Sequence, residues 1–220
     1  MTGGVRHLTV SPGLTAALLA VTLSAAGCVS KPTLVSHLYT IDPPPARASA
    51  APGGVILVLK RVEVAPPYSG ESFIYRAGNH AIERDPYARF ASPPGWLLTA
   101  AIRGYLANAD FVRDVVSIGE SLPAQASVEV SVSEIAGDLR TDGPSAVLAL
   151  RFRVLSEPQS PDRNPELFVK TYTKSVPIPR RAAKEVVEGW NKGLEEIMAE
   201  FLADLKSDLM QTSILEHHNP

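Results

Sequence analysis

The sequence predicts a single α/β domain, with helices packed against a mixed, largely antiparallel sheet. Three patterns carry this prediction. The unbroken apolar run Val55–Leu59 is typical of a strand that is buried on both faces. Farther along, apolar and polar residues alternate over Val128–Val132 and Leu148–Val154, as in strands with one solvated face. Finally, apolar residues recur every three or four positions from Arg180 to Met210, which predicts a long amphipathic helix.

Prolines and glycines divide the first half of the chain into short elements. His37–Ile41 is expected to form a first strand, because three prolines follow it closely. Phe73–Arg76 and Ala81–Arg84 flank the pair Gly78–Asn79, which favours a hairpin turn.

A helix and two more strands complete the prediction. Ser92 is expected to cap a helix that extends from Trp96 to Ala109. Val112–Ile118 and Leu167–Pro177 have the composition of strands, and the second of these closes an antiparallel meander.

The glycines of the last helix are a local weakness. Gly189 and Gly193 lie inside its apolar stripe, and each lowers intrinsic helix stability by about 1 kcal/mol relative to Ala. Packing of the stripe against a core must therefore hold this helix in place.

Composition narrows the class of protein. The chain has 220 residues, of which 45% are apolar, and its net charge is −2. This content is ordinary for a globular domain, and the chain has no block of Lys and Arg residues. We therefore expect no nucleic-acid partner.

Cys28 is the only cysteine of the chain, and its context indicates a lipoprotein signal peptide. Arg6 gives a polar start, Leu14–Leu23 is apolar, and the small residues Ala25–Gly27 precede the cysteine. The apolar run of about 14 residues is shorter than the roughly 20 that a bilayer core requires. An ordinary cleaved signal peptide, with Cys28 incidental, is the alternative.

These features divide the chain into four parts. We expect a signal peptide at residues 1–27, a lipidated tether at 28–36, a folded domain at 37–210 and a polar tail at 211–220. Val29 stands where lipoproteins retained at the inner membrane typically have Asp, so we expect an outer-membrane anchor that faces the periplasm. A tether of eight or nine residues reaches at most roughly 30 Å, which holds the domain close to its membrane.

The motifs of common enzymes are absent from the sequence. It contains neither a phosphate-binding Gly-x-x-x-x-Gly-Lys-Ser/Thr loop nor a Gly-x-Ser-x-Gly nucleophile elbow. His80 and Glu83 could form half of a metal site, but a solvated hairpin explains them better, and His217 and His218 lie in the tail. We therefore name no catalytic or metal-binding residue and expect no cofactor.

The best candidate for a partner-binding surface is the segment from Tyr68 to Trp96, which is rich in Tyr, Phe and Arg. Asp85–Pro86 is expected to begin a turn, and loops lie on the surface of a domain. The predicted binding residues are Arg84, Tyr87, Arg89 and Phe90. The alternative is that Phe73, Tyr75 and Phe90 fill the core beneath a hairpin, which leaves Arg84, Tyr87 and Arg89 as the better candidates for exposure.

The order of these motifs resembles that of the ABC-type transport auxiliary lipoprotein family, which contains PqiC. The order is the lipidation cysteine, Leu38–Ile41, Val58–Val64 before Pro66-Pro67-Tyr68, Ile74–Arg76, and Trp96 at the start of a helix. The resemblance implies a three-layer α/β sandwich. It also implies a periplasmic subunit of an ABC transport system with an MCE-domain protein as partner, which moves lipids or other hydrophobic compounds between membranes.

Two functions remain open at this point. A subunit that acts by protein–protein interaction, including self-association, needs a packed core and an exposed aromatic patch. A carrier that itself binds a hydrophobic ligand needs an apolar cavity of several hundred Å³. An unrecognised hydrolase is a third and weaker alternative.

The first testable prediction concerns Cys28. Stable membrane anchoring needs two or more acyl chains, so Cys28→Ser should release the domain into the soluble periplasmic fraction. Cell fractionation measures the release, and mass spectrometry of the membrane-bound wild type should find an acylated N-terminal cysteine. An unmodified Cys28 thiol in that preparation would contradict the assignment.

Overall fold

The fold is given by a computed structural model, which describes residues 35–45, 53–120, 122–140, 143–156 and 166–211. The signal peptide, Cys28 and the tail after Gln211 lie outside the described residues. The strands are β1 (His37–Tyr39), β2 (Val55–Leu59), β3 (Glu63–Val64), β4 (Ser72–Arg76), β5 (Ile82–Phe90), β6 (Val112–Val116), β7 (Ala126–Asp138), β8 (Ser145–Ser156) and β9 (Glu166–Pro177). The helices are α1 (Pro94–Ala107) and α2 (Ala183–Gln211), and Pro66–Tyr68 form a 3₁₀ turn.

Strand β7 is the centre of the sheet. On one side it pairs antiparallel with β8 from Ala126 to Asp138. On its other side it pairs in parallel with three shorter strands in succession, β2, β3 and β4. An irregularity in the β7–β8 register between Val132 and Glu134 separates the part of β7 that pairs with β2 and β3 from the part that pairs with β4.

The sheet is mixed, as the sequence predicts. Strands β7, β8 and β9 form the expected antiparallel meander, and β4 and β5 form the expected antiparallel hairpin. The pairs β1–β5, β2–β6, β2–β7, β3–β7 and β4–β7 are parallel. The prediction of a largely antiparallel sheet is therefore accurate for the long strands, whereas most of the short ones pair in parallel.

The long C-terminal helix is confirmed, and it covers one face of the sheet. Its stripe of buried residues includes Trp190, Ile197 and Phe201. The Phe201 ring stacks on Phe152 of β8, with 4.0 Å between the ring centroids. Helix α1 buries Leu98, Ala101, Ile102 and Leu106 in the same core.

Both helices pack against the sheet, as the sequence predicts. Helices α1 and α2 contact each other, and the buried side chains of both join one core on one face of the sheet. On the opposite face, charged side chains of β7 and β8 reach solvent, among them Arg151 and Arg153. The described residues thus form a mixed α/β domain in which the sheet and both helices contribute to one core.

The start of α1 also differs from its prediction. The helix begins at Pro94, and Pro93 occupies the capping position without a side-chain hydrogen bond. Ser92 is thus not the cap. Proline is tolerated in the first turn because the N–H group it lacks has no partner within the helix there.

Gly189 and Gly193 provide a matched pair for testing the packing of α2. A Cβ atom on Gly189 would lie 2.5 Å from the Ala146 Cβ, whereas one on Gly193 would find its nearest neighbour, in Lys174, at 3.4 Å. We expect Gly189→Ala to destabilise the domain even though Ala favours helix. Gly193→Ala should be neutral or stabilising, by up to about 1 kcal/mol. Urea unfolding of both variants measures the difference, and equal stability would contradict this account of α2 docking.

Candidate partner-binding surface

The candidate site lies on the face of the sheet that the helices leave uncovered, which we call the open face. Side chains alternate between the two faces along a strand, so the residues between the core positions of β7, β8 and β9 point to the open face. These residues, which the strand register places side by side, include Glu129, Ser131, Arg151, Arg153 and Thr171.

A shallow groove of about 440 Å³ crosses this face. A second depression, of about 430 Å³, shares Glu63, Ser131 and Arg151 with it and continues to Pro66 and Thr171. We refer to the two together as the central groove. The remaining lining residues of its first part are Lys60, Arg61, Glu129, Val130, Arg153 and Glu166.

A row of alternating charges crosses one end of the central groove. Lys60 pairs with Glu129, which also lies 3.5 Å from Arg153, measured from Oε2 to Nη1. Arg153 in turn donates from Nε to Glu166 over 2.9 Å. The hydrogen bond from Lys60 is the main cause that lowers the Glu129 pKa below its usual range, so this carboxyl stays charged.

A third depression, of about 240 Å³, contains two of the predicted partner-binding residues. We call it the arginine groove, and its lining residues are Pro67, Gly70, Glu71, Ser72, Ile74, Arg84 and Arg89. Arg89 pairs with Glu71 over 2.6 Å from Nη2 to Oε2. Arg84 is exposed and forms no ion pair with any described residue.

The segment that carries these arginines is a strand, which corrects the predicted turn at Asp85–Pro86. The Asp85 carboxylate accepts hydrogen bonds from the backbone N–H groups of Tyr87 and Ala88, at 2.7 and 2.9 Å. The Asp85 side chain thus satisfies two backbone N–H groups at the point where the β4–β5 register shifts, and β5 continues through Pro86. The predicted loop is thus part of a strand that pairs with β1 on one side and β4 on the other.

The other two predicted residues separate. Tyr87 is 53% exposed, whereas Phe90 is only 2% exposed. The Phe90 ring lies 4.6 Å from Phe73 and 5.4 Å from Trp190, measured between centroids. Phe90 therefore belongs to the core, and its prediction as a surface residue is corrected.

A partly buried carboxylate lies where β4 meets β7. Arg76 pairs with Glu134 and also lies 3.8 Å from Asp138, which Arg140 contacts over 2.6 Å. The Oε1 atom of Glu134 is buried and has no hydrogen-bond partner. Burial raises the Glu134 pKa, and the nearby Arg76 guanidinium offsets part of that effect.

An exposed aromatic platform adjoins the central groove. The Trp96 ring is 55% exposed, and the Arg61 guanidinium lies 3.8 Å above its centroid. Such cation–π contacts contribute about 0.5–1 kcal/mol at exposed sites. Trp96 is the last residue of the predicted surface segment. Arg61 lies outside that segment and was not predicted, because no sequence spacing connects it with Trp96.

The described residues lack two features, a metal-ligand cluster and a membrane-spanning helix. They contain no group of three or more His, Cys, Asp or Glu side chains that could hold a metal ion. Within the same ranges, no helix is long and apolar enough to span a bilayer. The lining of the three grooves is dominated by charged and polar side chains.

Comparison with known proteins identifies relatives of the whole domain. The family model described as ABC-type transport auxiliary lipoprotein component matches residues 39–201. A crystal structure of a Xanthomonas campestris protein of family DUF330 is similar to the chain, with a TM-score of 0.66 and 15% identity, over 80% of this chain and 99% of that one. A second crystal structure, of an uncharacterized protein, has a TM-score of 0.61 and 14% identity, over 78% and 99% of the two chains. No curated protein matches the sequence.

The two carboxylates of the open face predict opposite pH effects. The raised Glu134 pKa stabilises the folded domain at low pH, and this contribution disappears as the pH rises through the folded-state pKa. The stability of Glu134→Gln relative to wild type should therefore increase as the pH rises from about 4 to about 7. The lower end of this window is set by the ordinary Glu pKa of about 4.3.

Glu129→Gln is the matched control. Its lowered pKa gives a contribution that is fully present above the ordinary Glu pKa of about 4.3 and is lost as the pH falls below it, so this variant should lose stability relative to wild type as the pH rises from about 3 to about 5 and should change little above that. Urea unfolding at several pH values measures both. Trends of the same sign in the two variants would refute the assignment.

Proposed function

The chain belongs to the ABC-type transport auxiliary lipoprotein family, and from this membership we propose that it is a periplasmic subunit of an ABC transport system with an MCE-domain protein. In this proposal the system moves lipids or other hydrophobic compounds between membranes. The chain contributes by binding its partner and performs no catalysis. The observation that carries this role is an exposed, rigid surface of Arg and Tyr side chains on a domain whose core is filled.

The anchor is the first part of the proposal. Cys28 is acylated and holds the domain at the periplasmic face of the outer membrane, as its sequence context favours. Because the tether reaches at most roughly 30 Å, the domain stays beside this membrane. Another component must then cover the remaining distance across the periplasm.

The arginine groove and the adjoining Tyr87 form the proposed binding surface. Arg and Tyr are the types enriched at interface hot spots, and Arg84 is available because no described carboxylate pairs with it. The exposed Tyr87 side chain adds apolar area at low conformational cost. Phe90 supports this surface from inside, because its ring packs in the core directly after Arg89 in β5.

The packing of the domain favours binding of a protein over carriage of a hydrophobic ligand. A carrier site is concave and mostly apolar, and it encloses most of its ligand. The three grooves are instead shallow, with charged side chains along their walls. On the other face the aromatic rings of the core are in direct contact, such as Phe73 with Phe90 and Phe152 with Phe201.

The double variant Tyr87→Ala with Arg89→Ala tests the binding surface. We expect at least a tenfold loss of affinity for the purified periplasmic domain of the MCE partner, since truncated hot-spot residues cost about 2 kcal/mol or more. The thermal midpoint should stay nearly unchanged, because Tyr87 is exposed and the Arg89–Glu71 pair is a surface ion pair. Calorimetric titration measures the affinity.

A control variant, Arg113→Ala with Ile118→Ala, removes an arginine of the opposite edge strand and an exposed apolar residue just beyond it. It should bind the partner like wild type. If the first variant is folded and binds normally, the interface lies elsewhere, most simply on the exposed face of α2. If the wild type does not bind an MCE-domain protein at all, the proposed system is wrong.

A further inference from the structure

The charges of the central groove do not balance among themselves. Lys60 and Arg153 are neutralised by carboxylates within the groove, but Arg61 and Arg151 form no ion pair with any described residue. Glu63 likewise has no cationic partner in the described part of the chain. The groove therefore presents two unpaired cations and one unpaired anion to solvent.

Three of these positions lie in one row across the strands. Glu63 of β3 pairs with Ser131 of β7, and Ser131 pairs with Arg151 of β8. Thr171 of β9 follows Arg151 in the same row. Adjacent strands are about 4.8 Å apart, so Glu63 and Arg151 lie roughly 10 Å apart, with the small Ser131 side chain between them.

Glu63 and Arg151 form no ion pair across Ser131. In the neighbouring row, by contrast, Glu129 and Arg153 stand on adjacent strands and do pair. A guanidinium without a carboxylate partner can gain a charge-assisted hydrogen bond from a bound carboxylate. A bound partner can therefore supply the ion pair that Arg151 lacks among the described residues.

The rim of the groove has the composition of a protein interface. Arg61 lines the groove and at the same time stacks on the exposed ring of Trp96. Trp and Arg are the residue types most enriched among interface hot spots. The first part of the groove is mainly polar, whereas the second part is more apolar, and the larger aliphatic side chains among the lining residues are Val64, Val130 and Val132.

We propose that the central groove is a second docking surface, which binds an acidic segment of a protein partner. The segment places a carboxylate on Arg151 and a basic or hydrogen-bond-donating side chain on Glu63, and it contacts Trp96 at the rim. This inference extends the proposed function, on which it rests for the identity of the partner. It predicts that electrostatic attraction contributes to binding, since charge complementarity steers association.

Charge reversal at Arg151 tests the proposal. Arg151→Glu should weaken binding of the MCE partner domain at least tenfold, and Arg151→Ala should weaken it less. Arg113→Glu, which reverses an exposed arginine outside the described grooves, should bind within twofold of wild type. Raising NaCl from 50 to 300 mM should weaken wild-type binding more than that of Arg151→Glu, because salt screens the lost attraction.

A labelled decaglutamate peptide tests the groove without the MCE protein. It should bind wild type more tightly than Arg151→Glu, with Arg113→Glu again like wild type. Equal binding to wild type and to a folded Arg151→Glu variant overturns the proposal. If only the MCE protein fails to bind and decaglutamate still distinguishes the variants, the proposed function fails and the groove assignment stands.

The last experiment tests binding to lipid headgroups. It measures co-sedimentation of the domain carrying Cys28→Ser with vesicles of phosphatidylethanolamine and phosphatidylglycerol. We expect no binding that depends on Arg151. Vesicle binding that Arg151→Glu abolishes would reassign the groove to lipid headgroups and overturn the proposal of an acidic protein segment.

Discussion

The fold depends on Trp190, which joins the long helix to the sparsely paired junction of β4 and β7. Strand β4 pairs with β7 at only two positions, Tyr75 with Gly137 and Arg76 with Asp138. Trp190 is fully buried beside this junction, where its indole N–H donates to the Ala136 carbonyl over 3.1 Å and its ring contacts Phe73 and Phe90. Aromatic pairs contribute about 0.5–1.5 kcal/mol each beyond the burial of their area. This cluster thus holds the β4–β5 hairpin, and with it the arginine groove, against the rest of the domain.

Covering the sheet on one face only imposes a second constraint. The open face must remain soluble, so it is built from Ser, Thr and charged residues, while Val and Leu residues of the same strands enter the core. Cross-strand pairing neutralises most of these charges, as it does for Glu129 and Arg153. The groups that remain unpaired are those whose strand neighbours are uncharged or too short, such as Arg151 beside Ser131 and Thr171. Strand register places Arg151 on the open face beside uncharged neighbours, and for this reason Arg151 is available to a partner.

Local periodicity predicted the elements that are buried on one side only. The alternating residues of β7 and β8 and the stripe of α2 were recognisable because burial on one side leaves a period of two or about 3.6. The parallel pairing of β2, β3 and β4 along β7 leaves no such trace, because register between distant segments is decided by the packed sheet. At Asp85–Pro86 the turn prediction failed because side-chain hydrogen bonds of Asp85 support a strand through Pro86. Phe90 was misplaced as a consequence, since alternation along that strand directs it into the core.

The strand character of β5 changes how its exposed residues can act. A mobile loop would lose conformational entropy on binding, whereas Arg89 and Tyr87 project from backbone that is already ordered by Asp85 and by pairing with β1 and β4. In the proposed assembly the length of the tether sets how far from its membrane the domain can reach. A short tether then favours a partner that approaches from the periplasm to a fixed height above the membrane. In this proposal the tether sets the position of the domain, and the exposed residues of β5 supply complementarity to the partner.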